Sequence, residues 1–218
     1  MPDAESSSSP ALLPADSGHE PAAPVRKRPK PGERRIQILQ ALASMLEQPG
    51  AERVTTAALA AQLDVSEAAL YRHFASKAQM YEGLIDFIEQ SVFSLVNQIA
   101  QREGVAGTGQ AGKVVAMLMQ FAEKNPGMTR VMVGDALVFE NERLQQRMNQ
   151  FFEKIESSLK QSLRGAAEAS GSATPTVDTQ VRASVLTAFL VGRLQRFARS
   201  GFKRLPSEHL EASLALML

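Results

Sequence analysis

The sequence predicts an all-α fold. Apolar residues recur at helical spacing along most of the chain, start and stop signals for helices punctuate it, and no stretch alternates convincingly as a strand. No internal repeat is present, and the length allows one or two domains.

Residues 1–30 are rich in Ser, Pro, Ala and Gly, carry no amphipathic period, and read as a disordered tail. The tail turns basic at Arg26, Lys27, Arg28 and Lys30, with Arg34 and Arg35 just beyond. Such an arm can add phosphate or minor-groove contacts, or can simply be solvated. A first helix is expected over 33–47, with Ile36, Leu39, Ala43 and Leu46 inward, Leu42 alongside, and Pro49-Gly50 as its stop.

The stretch from Val54 to Phe74 reads as two short helices and a tight turn. Thr55 caps the first helix, with Val54 and Leu59 as its staple. Small Ala60 and Ala61 let a second helix cross closely. Asp64 falls where the turn needs a positive φ, which Asp tolerates. Ser66 caps the second helix, and Leu70 and Phe74 face inward. Ser66, Glu67, Ala68, Ala69, Arg72 and His73 are left toward the outer face, with Tyr71 beside them. Alanines there can touch thymine methyls, and Ser66 can serve a base or a phosphate. A helix pair used only for packing is the plainer alternative. Ser76 and Gln79 then form a capping box, and the helix that Lys77 opens suits a phosphate at its N-terminus.

That helix should run over 77–101, with Leu84, Ile85, Phe87, Ile88, Phe93 and Val96 as its apolar set. Gly104 to Gly112 reads as a glycine-rich break before a helix over 113–124. Asn125 can cap a further helix, with Pro126 at its first position. A long helix over 141–169, a loop over 171–175, and helices over 177–200 and 207–216 complete the chain. Met117, Met119, Met128 and Met132 are expected to fill core gaps.

Bulk properties narrow the function. With 218 residues and 44% hydrophobic residues, the chain can bury a sizeable core. A net charge of +1 means that any grip on a polyanion must come from a local basic surface. The absence of cysteine excludes disulfides, thiolate zinc sites and cysteine nucleophiles. Apolar runs fall short of a membrane span, and no signal-peptide order is seen, so no membrane anchor and a cytoplasmic protein are expected. His19, His73 and His209 cannot be assigned to one metal site, Gly104 to Gly112 lacks the strand and lysine of a phosphate loop, and no convergent catalytic cluster stands out. No cofactor, no metal and no enzymatic activity are expected.

The run of Thr55, Leu59-Ala60, Val65-Ser66 and Leu70-Tyr71-Arg72-His73-Phe74-Ala75-Ser76-Lys77 resembles the TetR family of dimeric DNA-binding proteins. Asp64 stands where glycine is common in that family. Residues 65–74, 84–89, 125–130, 136–145 and 196–203 are similar, further, to the nucleoid occlusion factors with that fold. This resemblance implies a tail over 1–30, a helix-turn-helix reader over 31–76, and a helical dimerisation and partner-binding body over 77–218. It implies binding to palindromic chromosomal sites in double-stranded DNA and, from there, inhibition of the division GTPase FtsZ over the nucleoid through its C-terminal tail.

The implied DNA contacts fall on Thr55, Thr56, Ser66, Glu67, Ala68, Ala69, Tyr71, Arg72, His73 and Lys77, with Arg28 and Arg34 from the basic arm. The FtsZ tail is assigned to a groove of Phe87, Lys124, Asn125, Met128 and Arg130. Phe87 would be the apolar anchor there, unless it is ordinary core. Two symmetric readers require a homodimer. Val181, Val185, Ala188, Phe189, Gly192 and Leu194, completed by Leu210, Leu214 and Met217, offer a surface for a four-helix interface, unless they pack within the subunit. The competing function is a ligand-responsive repressor of the same fold, which would need a roomy pocket inside the body.

Overall fold

A computed structural model describes residues 32–48, 53–102 and 107–218. The tail over 1–30, with Arg28 and His19, lies outside the described residues, as do the Pro49-Gly50 stop and Gly104. The described residues form α1 (Glu33–Glu47), α2 (Thr56–Gln62), α3 (Glu67–Tyr71), α4 (Lys77–Ala100), α5 (Gly107–Lys124) and α6 (Pro126–Met132). A 3-10 turn (Asp135–Leu137), α7 (Glu142–Ala169), α8 (Pro175–Arg199) and α9 (Leu210–Met217) follow, and no strand occurs among them.

The helices α1–α3 form a small cluster at one end of α4. Ile38, Leu42 and Leu46 of α1 are buried with Val54, Leu59, Leu70 and Phe74. Full burial of one such side chain contributes roughly 1.5–3 kcal/mol. α4 belongs to both ends of the molecule. Gly83 lies under Phe74 and Leu39, whereas Phe93, further along, meets the Phe151 ring of α7 edge-on at 5.6 Å. The body is built from α5, α7 and α8, with Val115, Leu118, Phe151, Ile155, Leu159, Leu186 and Leu190 all at 0% exposure. Met119 and Met132 are buried, and Met117 and Met128 are half-buried against the same core, as expected of gap-fillers.

Several expectations need correction. Ile36 is 56% exposed and is not part of the inner stripe of α1; Ile38, Ala41, Leu42 and Leu46 are. The phase is set by where α4 and α6 cover α1, and that cover ends short of Ile36. The glycine-rich break is helical from Gly107 onward. Packing overrides propensity there: Ala111 is fully buried, and a Cβ on Gly107, which stands at φ 62°, would lie 2.9 Å from the Ala166 Cβ of α7. The Asn125 side chain does not cap α6; its Nδ2 donates to the Phe121 carbonyl at 2.7 Å. α9 opens at Leu210, not Ser207, because His209 sits in the left-handed region at φ 54°. Leu194 is fully buried in its own subunit and is not available to a partner.

Of the described glycines, Gly127 at the junction of α1 with α6 has the closest neighbour. A Cβ on Gly127 would fall 1.9 Å from the Ala43 carbonyl oxygen, inside any allowed contact. The Arg130 Nη1, one turn on, donates to the Gln48 carbonyl at 3.1 Å. Gly127→Ala is therefore expected to force the two helices apart and to destabilise the fold by about 2 kcal/mol or more. A denaturant midpoint equal to that of the parent chain would show the junction to be compliant.

Candidate nucleic-acid interface

The reader is fixed first by its caps. The Thr55 hydroxyl accepts the Ala58 N–H at 3.2 Å, and the Ser66 hydroxyl accepts the Ala69 N–H at 3.3 Å. Each such cap is worth about 1 kcal/mol. Asp64 occupies the turn at φ 52°, as its position demanded. A further bond joins the two helix starts: the Thr56 hydroxyl donates to the Glu67 Oε2 at 2.6 Å. Thr56 and Glu67 therefore already hold each other.

With Leu70 and Phe74 buried, the opposite face of α3 is set by geometry. Ser66, Glu67, Ala68, Arg72 and His73 are exposed, Ala69 is half-buried, and Tyr71 is 44% exposed. This face presents methyl, hydroxyl, phenol, imidazole and guanidinium groups, and the Glu67 carboxylate at its leading end is tied to Thr56. Those are the groups that base edges and phosphates accept. Thr55 is exposed at the start of α2, and Arg34 is half-buried on α1.

Arg35 has a task that sequence reading missed. Its Nη1 donates to the His73 carbonyl at 2.5 Å, and its guanidinium lies 4.0 Å from the Phe74 ring centroid. Arg35 thus steadies the end of the reading helix from α1, as a positioning residue. No local pattern relates residues that far apart in sequence.

The transition into α4 is capped by Ser76, whose hydroxyl accepts the Gln79 N–H at 3.2 Å. The return bond from Gln79 reaches the N–H of Ala75, one residue before the cap, at 2.9 Å. Lys77 follows, and its ammonium is paired with Glu140 Oε1 at 2.5 Å in a half-buried setting. Burial and, second, the nearby Glu140 charge push the Tyr81 phenol far above its ordinary pKa, so it stays neutral. The Lys77 pair starts a ladder between α4 and α7. Arg143 meets Glu82, Arg147 meets Asp86 at 2.9 Å and Glu89 at 2.6 Å, and Lys154 reaches Glu89 at 3.7 Å. Burial works against the Arg147 cation, but the hydrogen bonds and charges of Asp86 and Glu89 outweigh it and leave its pKa raised.

The other assigned residues are distributed as follows. Phe87 is 48% exposed on α4 and is not core. Lys124 is exposed, whereas Asn125 and Met128 are half-buried. Arg130 turns toward the end of α1 and stacks 4.9 Å from the Phe202 ring, in a cleft that Phe87 does not line. On α8, Val181 and Val185 are 56% and 47% exposed, with Ala188 and Gly192 on the same open side and Phe189 half-buried. Leu210 and Leu214 are half-buried against the core.

Two family models match the chain. "Bacterial regulatory proteins, tetR family" covers residues 38–84, and a SlmA-like model described as "Tetracyclin repressor-like, C-terminal domain" covers 109–218. The nucleoid occlusion factor SlmA of Vibrio cholerae is 51% identical over 84% of this chain and 93% of its own length. Those of Aliivibrio fischeri and Idiomarina loihiensis are 50% and 49% identical, over 87% and 84% of this chain and 96% and 93% of theirs. Among solved structures, FadR from Bacillus subtilis, in complex with stearoyl-CoA, superposes with a TM-score of 0.66 at 14% identity, covering 84% of this chain and 96% of its own. A TetR transcriptional regulator from Legionella pneumophila does so with a TM-score of 0.66 at 15% identity, covering 86% and 97%; these distant likenesses concern the fold alone. The chain belongs to the SlmA family of nucleoid occlusion factors, DNA-binding proteins with the tetR-family fold.

Proposed function

We propose that a homodimer of this chain reads palindromic sites in chromosomal DNA and, while bound, inhibits FtsZ ring assembly over the nucleoid. The observation that carries this reading is the high identity to nucleoid occlusion factors, which spans reader and body alike. α3 enters the major groove with Ser66, Ala68 and Ala69 leading, while Tyr71, Arg72 and His73 reach toward phosphates. Lys77, Arg34 on α1 and the arm with Arg28 add backbone contacts. The protein acts by binding, not as an enzyme, and works in the cytoplasm on the nucleoid. The FtsZ tail is taken up through Phe87 with Lys124, Asn125, Met128 and Arg130; the support is that so large an apolar side chain as Phe87 is left 48% exposed. Among the described residues the inward side chains of α5, α7 and α8 are fully buried in one core, which weighs against a ligand-responsive repressor, a reading that needs room inside the body.

Purified FtsZ, polymerising with GTP, is the direct assay. Less FtsZ should sediment when this protein is added with a specific duplex than when it is added alone. Equal sedimentation with and without duplex would rule the reading out. Phe87→Asp, at an exposed position, should abolish the effect on FtsZ while leaving duplex affinity unchanged; full retention of the effect would displace the groove.

The dimer uses the open side of α8, from Val181 through Val185 and Ala188 to Gly192, completed by Phe189, Leu210 and Leu214. Val185→Asp places a charge in that seam. It should convert the dimer to a monomer in sedimentation velocity and weaken duplex binding by about two orders of magnitude, since one reader is then lost. A dimer of unchanged affinity would place the two-fold axis elsewhere.

A further inference from the structure

A cleft of about 650 Å³ opens where the end of α1, the segment after α6 and the end of α8 meet. Val138 and Phe139 on its rim are 63% and 70% exposed, although they are adjacent and apolar. They belong neither to the reading face, nor to the α8 seam, nor to the Phe87 surface. With Phe202 across the cleft they make a contiguous apolar patch, the kind of surface that marks a contact site when it is left exposed.

Across the cleft stands Phe202, a non-glycine residue at φ 64°. Its ring is wedged between Phe197, at 5.2 Å, and the Arg130 guanidinium, at 4.9 Å. The backbone is thus held in a disfavoured conformation to keep that ring and that cation in place. Arg199 lines this cleft and also an adjoining one of about 450 Å³, which it shares with Arg196 and Arg204. Among the described residues Arg196 pairs with Glu208 at 3.3 Å, but its Nε is buried without a partner. Arg199, Lys203 and Arg204 have no ion pair among the described residues. Glu47 and Asp135 line the opposite, α1-to-α6 side of the cleft.

We infer that this surface docks an acidic peptide segment carrying a large apolar residue, from another protein. The apolar residue seats against Val138, Phe139 and Phe202. Its carboxylates turn to Arg199 and Arg204, and Glu47 with Asp135 repel them from the other side, which sets the direction of the peptide. A DNA backbone would satisfy the cations and leave the apolar pair in water. A second copy meeting this patch about a two-fold axis would bring like charges together.

The inference does not rest on the FtsZ reading: Phe87 is outside the cleft, and Arg130, the one residue named for both, is already held by the Gln48 carbonyl and the Phe202 ring. It is tested with the full chain and a fluorescein-labelled Asp-Glu-Asp-Leu-Phe-Asp-Glu peptide, followed by anisotropy. The peptide should bind a chain that already carries Phe87→Asp, which removes the other surface proposed for such a peptide; on that background Phe139→Ser or Arg199→Glu, both at exposed positions, should each weaken binding by about tenfold or more. A control with Ser-Ser for Leu-Phe should bind at least about tenfold more weakly. Equal binding of the control would reduce the surface to a general polyanion site and overturn the inference. So would a lack of binding at about 1 mM peptide, indifference to both substitutions, or a change of oligomeric state with Phe139→Ser, which would identify a second copy as the occupant.

Discussion

Nothing larger than hydrogen fits between α1 and α6 at Gly127. The contact is backbone against backbone, and it joins the reader to the body. Helices that meet through side chains can slide by changing rotamers; a carbonyl against a bare Cα has no such freedom. The angle between reader and body is therefore set at this point. It is reinforced by the Arg130 bond to the Gln48 carbonyl and by α4, which runs through both parts. In a dimer, the separation of two reading helices would follow from that angle and from the α8 seam together.

α4 then has two different long sides. One is apolar and buried against α1, α5 and α7. The other carries Glu82, Asp86 and Glu89 to basic residues spaced along α7, so the two helices are held in step by charge. Ion pairs at half-exposed positions add little stability singly, but a row of them resists sliding of one helix past the other. Phe87 lies about a third of a turn round α4 from this row, faces neither α7 nor the buried side, and is 48% exposed.

Local signals were legible and distant ones were not. The bounds of α1, the Thr55, Ser66 and Ser76 caps, and the positive φ of Asp64 could all be read, because each depends on a few neighbouring residues. The inward pair Leu70 and Phe74 left the outer face of α3 by elimination. By contrast, Gly107 to Gly112 looked like a loop because glycine disfavours helix in isolation; the helix is held by the burial of Ala111, Val114 and Val115 in the body. Ile36 failed for a related reason: periodicity gives a stripe, but the neighbours decide how far along the stripe burial extends. Arg35 to His73 and Lys77 to Glu140 join residues 38 and 63 positions apart, beyond the reach of any spacing rule. The Val138 and Phe139 pair was visible as letters, but its exposure depends on the turn that follows α6.

The Lys77–Glu140 pair alters how ionic strength should be interpreted for this molecule. Duplex DNA sheds roughly one condensed cation for each phosphate that a protein neutralises. A phosphate that captures Lys77, however, strands Glu140, and that carboxylate gathers a cation back from solution. The two exchanges nearly cancel, so the salt dependence of binding under-counts the phosphates touched by about one per subunit at this position. The abandoned charge is left next to Phe139 in the chain, where it changes the field at the rim of the cleft.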